Sequence, residues 1–414
     1  MKRLYSLDVL RGFAALSVVV WHWQHFFALP GGGWPDAWNP ASQPFFLVLK
    51  PLYDAGWCAV DLFFLISGFV FFWLYSDALA ARRLAGGEFA ILRFSRLYPL
   101  HLATLVLVVV LQCFFMGQTG HAFIFEFADR ARFIAALFMA QQWLPPTDVQ
   151  YFDGPGWSVS IEVLLYIVFF GLCRAGWMSP ATARRLALAG LILMPFGSLF
   201  WVIARGLAGF FFGGLVWYAC EEIKRRSNAP LIARRLGWFT AAAWAVLVLE
   251  DYTGVLRGGL GALAGLSPRL AHIYAVEARD LFLMTFVVLV GLPTIATLAL
   301  QEQVLSRRYA AAAFLGDISY SVYLLHFPLQ LVLALVAIHF GITSAFFMQG
   351  DVMVAFFAAL IALAAASHYG FERPLQKAIR NSLRRYTMAA AADRLMLAPA
   401  KVPSPNLSLP RPPP

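Results

Sequence analysis

The chain has 414 residues, of which 61% are hydrophobic and 13% charged, with a net charge of +10 and a mean hydropathy of +0.70. Soluble domains carry about 25% charged residues, so this composition excludes a water-soluble globule and a disordered chain. The Lys and Arg residues lie between apolar segments and form no single basic surface, which argues against nucleic-acid binding. The four cysteines lack the spacing of a disulfide framework or a zinc site, and we expect no metal and no bound cofactor.

Ten apolar segments approach the length of about 20 residues that a helix needs to cross a hydrocarbon core of about 30 Å. They predict an all-α polytopic membrane protein with about ten transmembrane helices, approximately at 9–29, 56–75, 97–116, 157–176, 186–203, 205–220, 236–252, 280–300, 317–340 and 351–371. Only Ala204 and Arg205 separate the fifth and sixth segments, so a tight hairpin and one broken helix are both compatible with the sequence. A shorter apolar stretch at 132–143 predicts an interfacial or re-entrant helix.

Positive charge is distributed unevenly between the two sides of these spans. With a cytoplasmic N-terminus, 25 of the 32 Lys and Arg residues fall on the cytoplasmic side, and the outer side holds the remainder, Arg205 among them. The positive-inside rule therefore predicts that both termini are cytoplasmic. We expect residues 1–385 to form one membrane-embedded domain and residues 386–414, which are rich in Ala and then Pro, to form a disordered cytoplasmic tail.

Three polar side chains lie along one stripe of the first predicted helix. Arg11 and His22 are 11 positions apart, so they return to within about 20° of the same face and lie about 16 Å apart along the axis. Asp8 lies within about 40° of that face. Ionisable groups inside a membrane are costly and are functional candidates for that reason. The structural alternative is an Asp8–Arg11 ion pair at the interface together with a hydrogen-bonded core histidine.

Two further motifs place charge at the ends of spans. Arg93 and Arg96 are three residues apart, so on a helix they share a face and can pair with phosphate oxygens. The alternative is a positive-inside anchor. Glu162 lies near the start of the fourth span, where a carboxylate can either serve a site or complement the helix dipole.

Several segments, taken in order, resemble the acyltransferase 3 family of integral membrane O-acyltransferases. The matching segments cover residues 7–374, nearly the whole membrane region, and are LDVLRG at 7–12 with the Arg11 and His22 pair, AVDLFFLISGF at 59–69, RFSRLYP at 93–99, WSVSIE at 157–162 with Tyr166, YSVYLLH at 320–326 and ERP at 372–374. Many members carry an additional hydrolase-like domain, and this chain looks like the stand-alone form.

The resemblance implies transfer of an acyl group, usually acetyl from cytoplasmic acetyl-CoA, to a hydroxyl of a cell-surface or exported glycan. The acceptor would be the glycan or a lipid-linked saccharide at the outer face of a bacterial-type inner (plasma) membrane. The resemblance also implies that Arg11 and His22 are essential and that Arg93 and Arg96 serve the CoA donor. Other polar residues are expected to support the site, and these are Asp61, Ser67, Tyr166, His326, Glu372 and Arg373.

The chemistry of acyl transfer favours His22 as the general base. A hydroxyl is a poor nucleophile at neutral pH, and imidazole, with an ordinary pKa of about 6.5, suits the removal of its proton. We expect Arg11 and Asp8 to organise the path below His22, and Glu162 to orient either the imidazole or the sugar. A transient acyl-histidine is the alternative role for His22.

A second class of function uses the same polar residues differently. In a proton-coupled transporter or flippase for a glycan or lipid-linked intermediate, His22, Asp61 and Glu162 would form a proton relay and no acyl chemistry would occur. Transporters commonly contain two related halves, and the sequence offers no clear match between its halves. Consumption of acetyl-CoA in the presence of a glycan separates the two classes.

The predicted orientation can be tested by cysteine-accessibility labelling of a variant whose native cysteines have been replaced. A cysteine placed at residue 36 should react with a membrane-impermeant reagent in intact cells, because the charge bias places residues 30–55 outside. A cysteine in the loop at 82–96 should react only after the membrane is permeabilised. The reverse pattern would contradict this topology.

Overall fold

The computed structural model describes residues 3–28, 38–125, 130–144, 154–196 and 201–382. These residues form helices joined by turns, without a β-strand in the described ranges. The α-helices are α1 (Tyr5–His22), α2 (Phe46–Ala55), α3 (Ala59–Ala80), α4 (Gly86–Thr119), α5 (Arg130–Leu137), α6 (Gly156–Arg174), α7 (Pro180–Leu193), α8 (Trp201–Lys224), α9 (Ala229–Thr253), α10 (Val255–Ala264), α11 (Pro268–Thr285), α12 (Leu292–Tyr309), α13 (Phe314–His339) and α14 (Gly350–Ser367). The predicted tail at 386–414 lies outside the described residues.

The all-α membrane architecture is confirmed. Within the described ranges, eight helical stretches are long and apolar enough to cross a membrane, and they contain α3, α4, α6, α8, α9, α12, α13 and α14. The two other predicted spans correspond to α1, with 18 residues, and α7, with 14. Helices also occupy predicted outer loops, namely α2, α10 and the part of α11 that precedes the predicted span at 280–300. The apolar stretch predicted at 132–143 is described as α5 and a short 3₁₀ turn at Gln141–Trp143.

The predicted boundary between the fifth and sixth spans is wrong. Helix α8 begins at Trp201, so Ala204 and Arg205 lie inside the helix and do not separate two spans. The two helices α7 and α8 pack against each other, and Gly190 approaches the backbone of α8 at Ala208 so closely that a larger residue would clash. Arg205 was counted as an outer-loop charge, but its side chain is 3% exposed and lies within the bundle.

Neighbouring helices fall into two directions. Helices α1, α4 and α13 run in parallel, since Gly12 packs on Leu315 and Tyr320 bonds to the carbonyl of Leu97. Helices α3, α6 and α8 share one direction, as contacts between their first halves indicate. This direction is opposite to that of α4, because Arg93 near the start of α4 bonds to Tyr75 near the end of α3. We call the end where α1, α4 and α13 begin the basic end, and the end where α3, α6 and α8 begin the aromatic end.

An ion pair between Asp61 of α3 and Arg205 of α8 is buried near the aromatic end. Arg205 Nη2 lies 2.6 Å from Asp61 Oδ2, and Arg205 Nε lies 2.8 Å from Asp61 Oδ1. The same Nη2 donates to the carbonyl of Trp57 at 2.8 Å. The guanidinium is stacked among the rings of Trp57, Trp157 and Trp201. These hydrogen bonds compensate the desolvation of both charged groups, as a stable buried ion pair requires.

Removal of the Asp61 carboxylate should destabilise the bundle. Asp61→Ala leaves the guanidinium of Arg205 buried without its anion, which typically costs about 3 to 5 kcal/mol. Thermal unfolding of the purified protein in detergent measures the effect. Glu221→Ala is the control, because it removes an exposed pair with Lys224 that is worth about 0 to 1 kcal/mol. Equal unfolding midpoints for the two variants would contradict the assignment.

Candidate functional site

A polar cavity of about 150 Å³ lies inside the bundle, between α1, α3, α4, α6 and α13. Six of the twelve residues that the sequence singled out meet at its wall. The polar and charged lining consists of Arg11, Ser67, Arg93, Arg96, Ser158, Glu162, Tyr166, Ser319, Tyr320 and Tyr323. We call it the arginine cavity.

Three guanidinium groups face this cavity. Arg93 donates to the hydroxyl of Tyr75 at 2.7 Å and lies over its ring, while its Nε has no partner among the described residues. Arg96 lies over the ring of Tyr320, with the guanidinium carbon 5.8 Å from the ring centre. Within the described part of the chain, neither Arg11, Arg93 nor Arg96 forms an ion pair. The spacing argument therefore placed the two α4 arginines correctly on one face, and α1 adds a third.

Among the described residues, Glu162 is the one carboxylate in the lining of this cavity. Its Oε1 accepts hydrogen bonds from Ser67 Oγ at 3.0 Å and from Tyr166 Oη, one helical turn further along α6. Glu162 is the seventh residue of a helix that begins at Gly156, so it lies beyond the first turn, where a carboxylate complements the dipole. Three cations against one carboxylate leave the cavity with an excess of positive charge that suits an anionic ligand.

His22 and His326 form a hydrogen-bonded pair between α1 and α13. His326 Nε2 lies 2.9 Å from His22 Nδ1, and His326 Nδ1 lies 2.6 Å from the carbonyl oxygen of Tyr323. A carbonyl only accepts, so His326 Nδ1 carries a proton, and in the neutral rings His326 Nε2 accepts from His22 Nδ1. This network assigns the unprotonated nitrogen of His22 to Nε2. Both rings are buried, with His22 8% and His326 0% exposed.

Gln330 is a residue of this cluster that the sequence reasoning missed. Its Nε2 donates to the carbonyl of His22 at 2.9 Å, and its Oε1 lies 3.2 Å from Nδ1 of His25. Gln330 follows His326 by four residues on α13, so both side chains face α1. A polar residue four positions from a motif histidine, inside an apolar span, is the signal that could have found it.

Tyr323 joins the histidine pair to the arginine cavity. Its carbonyl fixes the proton on His326, while its side chain lines the cavity and its hydroxyl accepts from Ser158 Oγ at 2.8 Å. Tyr323 therefore contacts both the arginine cavity and the histidine pair, which makes the two neighbours in the bundle.

Four of the predicted site residues belong neither to the arginine cavity nor to the histidine pair. Asp8 does not pair with Arg11, because its carboxylate is 2.5 Å from Nε of Arg3, which also contacts Asp317. The alternative Asp8–Arg11 pair is therefore wrong, and the role of Asp8 in a path below His22 stays a prediction. Asp61 forms the buried ion pair with Arg205 that is described above. Of the ERP motif, Glu372 is buried and accepts from Ser321 and Ser367, and Arg373 lies exposed over Tyr369.

Comparison with known proteins gives a family match and several relatives. The family described as an acyltransferase domain matches residues 4–367. The acyltransferase MdmB of Streptomyces mycarofaciens is 28% identical over 354 residues, which cover 78% of each chain. The exopolysaccharide production protein ExoZ of Rhizobium meliloti is 27% identical over 82% of this chain and 95% of its own length.

The peptidoglycan O-acetyltransferase OatA of Listeria monocytogenes is a further relative. It is 22% identical over 79% of this chain, and the match covers 49% of OatA. No solved structure gives a significant match.

Proposed function

Given that this chain belongs to the acyltransferase domain family, whose match spans residues 4–367, we propose that it moves an acetyl group from acetyl-CoA to a glycan hydroxyl. The acceptor would be a cell-surface or exported glycan, in keeping with relatives named for exopolysaccharide production and for O-acetylation of peptidoglycan. The membrane would be the bacterial-type inner membrane, with the basic end of the bundle toward the cytoplasm. The observation that carries the proposal is the adjacency of a three-arginine cavity and a histidine pair.

The arginine cavity suits the donor. Coenzyme A carries several phosphate groups, and guanidinium groups bind phosphate through two parallel hydrogen bonds. Arg93 and Arg96 lie in the second and third turns of α4, near the basic end, where a cytoplasmic donor would enter. Arg11 lines the same cavity from α1 and would extend the positive surface along the path of the donor.

His22 would act as the general base on the acceptor. Its Nε2 takes the proton from the acceptor hydroxyl while the oxygen attacks the thioester carbonyl carbon. The tetrahedral intermediate collapses with cleavage of the carbon–sulfur bond. The proton on His22 then passes to the departing thiolate, which leaves as free thiol, so the histidine returns to its neutral form. The products are the glycan ester and free CoA.

His326 would position the base and share its charge. When His22 gains a proton on Nε2, its Nδ1–H still donates to His326 Nε2 at the 2.9 Å separation seen here. The carbonyl of Tyr323 holds the proton on the far side of His326 and so keeps Nε2 available as the acceptor. Attack by Nε2 itself on the thioester, which gives an acyl-histidine, uses the same tautomer and remains the alternative chemical role.

Glu162 would act on the substrate and not on the imidazole. Its carboxylate is held by Ser67 and Tyr166 in the arginine cavity, and no hydrogen bond joins it to His22 in the described residues. From that position it can accept a hydrogen bond from an amide or hydroxyl of a bound substrate, and it limits the repulsion among the three arginines.

The transporter alternative finds little support in this geometry. A proton relay through His22, Asp61 and Glu162 needs these groups in one hydrogen-bonded chain. Asp61 is paired with Arg205 on one side of α3, whereas Glu162 is bound to Ser67 in the arginine cavity. In the ranges that the structure describes, the three groups are not linked to one another.

Replacing either α4 arginine should weaken binding of the acyl donor. Arg93→Ala and Arg96→Ala should each raise KM for acetyl-CoA by about tenfold or more, because a hydrogen bond to a charged group is worth about 1.5 to 3 kcal/mol. The KM for the glycan should change less. Steady-state kinetics with membranes measures both constants, and Arg184→Ala, an exposed arginine of α7, is the control. Donor titrations that match the parent in both variants would contradict the assignment.

Replacing the base should nearly abolish transfer. His22→Ala should lower the rate by about 10² to 10⁴ while the protein still inserts, since general-base assistance is typically worth that factor. His326→Ala should lower the rate less and shift the pH–rate profile, and His25→Ala should be the mildest of the three. O-acyl signals in NMR spectra of the surface polysaccharide provide the measurement. Normal O-acylation by well-expressed His22→Ala, or equal losses in the His22 and His25 variants, would refute the mechanism.

A further inference from the structure

The proposed base, His22, is held by α13 at two separate points. Its ring contacts His326, and its backbone carbonyl accepts a hydrogen bond from Gln330 Nε2 at 2.9 Å. The ring contact orients the imidazole, whereas the carbonyl contact fixes the main chain from which the ring projects. Gln330 is 0% exposed, so this second hydrogen bond forms inside the bundle, where the low dielectric strengthens it.

The main chain changes its helical form at His22. Helix α1 ends at this residue, and a 3₁₀ turn at Trp23–Phe27 continues the chain without a break. The regular α-helical ladder therefore stops at the residue that carries the imidazole, and the hydrogen bonds of a 3₁₀ turn have poorer geometry. The position of His22 thus depends on contacts from outside α1 more than the position of a residue in the helix interior does.

Helix α13 is weakened between its two contacts with His22. Pro328 lies inside the helix, between His326 and Gln330. A proline has no N–H, so the carbonyl of Leu324, four residues earlier, loses its helical donor. The part of α13 that follows Pro328 is therefore held less firmly by its own backbone, and the amide of Gln330 attaches it to α1.

His25 fixes the direction of the Gln330 amide. A backbone carbonyl only accepts, so the amide nitrogen faces His22, and the amide oxygen Oε1 faces His25 Nδ1 at 3.2 Å. His25 must therefore carry a proton on Nδ1 and donate it to Oε1. The amide cannot turn its nitrogen away from His22 without breaking both hydrogen bonds. The contacts thus connect His25 to Gln330 and Gln330 to His22.

We infer that Gln330 is a positioning residue for the transfer reaction and that His25 acts on the reaction through Gln330. This inference rests on the proposed function, because it concerns how His22 is placed to remove the proton of the acceptor hydroxyl. Gln330 holds the backbone of the base, His326 holds its ring, and His25 holds the amide. Gln330 and His25 act in this way without touching the substrate.

Steady-state kinetics of the purified full-length protein test the inference, with acetyl-CoA as donor and the deacetylated surface polysaccharide as acceptor. Gln330→Met keeps the length of the side chain but removes both hydrogen bonds. It should lower kcat per folded molecule about tenfold or more, because a displacement of about 1 Å can cost about 10²-fold in rate. The KM for acetyl-CoA should not change. Gln330→Asn keeps the amide but is one methylene shorter, and it should also lower kcat.

Gln301→Met is the matched control. Gln301 of α12 donates to the carbonyl of Ala233 in α9, also at 2.9 Å, so the control removes a similar hydrogen bond between two helices that do not line the arginine cavity. It should leave kcat unchanged. An equal loss of kcat in Gln301→Met, or a parental kcat in both Gln330 variants, would overturn the inference.

A double-mutant cycle separates a positioning role from a general loss of packing. His25→Ala should lower kcat less than Gln330→Met, and the double variant should be no slower than Gln330→Met alone, because His25 acts through the amide. Additive losses would contradict this order of action. Absence of acetyl transfer by the parent protein would reject the proposed function as well, whereas an active parent with an unaffected Gln330→Met variant would reject only the role of Gln330.

Discussion

The cost of an ionised group inside an apolar bundle governs how this protein is built. A charge in hydrocarbon must be paired, hydrogen-bonded or reserved for a ligand, because its desolvation is otherwise uncompensated. The Asp61–Arg205 pair meets this cost within the protein and joins α3 to α8. The three arginines around Glu162 form no ion pair within the described residues, and we propose that an anionic ligand balances their charge.

Close helix packing brings the chemical groups together. Gly12 lies against Leu315, and Gly316 lies against the backbone of Asp8, so α1 and α13 approach as closely as small residues allow. The parallel course that follows from these contacts brings His22 level with His326 further along. The histidine pair therefore depends on glycines more than one turn away, which touch neither ring. The glycines act on the site through the distance between two helix axes.

The sequence predicted the helical spans and most of the cavity lining, but it could not supply pairings between distant segments. Hydropathy located the spans because each is a local property of about 20 residues. The sequence predicts a loop at Arg205 because a charged residue between two apolar runs is typical of a loop. The partner that allows this charge to be buried, Asp61, lies 144 positions away in the sequence. Asp8 was linked to Arg11 by helical spacing, although Arg3 from outside the helix takes its carboxylate. Gln330 escaped notice because a neutral amide is a weak signal in an apolar span.

We propose that acyl groups pass from a CoA donor at the basic end to a hydroxyl acceptor beside His22. The most direct measurement uses proteoliposomes of the purified protein, with radiolabelled acetyl-CoA on one side and glycan on the other. The account predicts that the glycan gains alkali-labile label when acetyl-CoA faces the side that bears Arg93 and Arg96, and that His22→Ala vesicles leave it unlabelled. Glycan that stays unlabelled with the parent protein while it crosses the membrane would contradict the account.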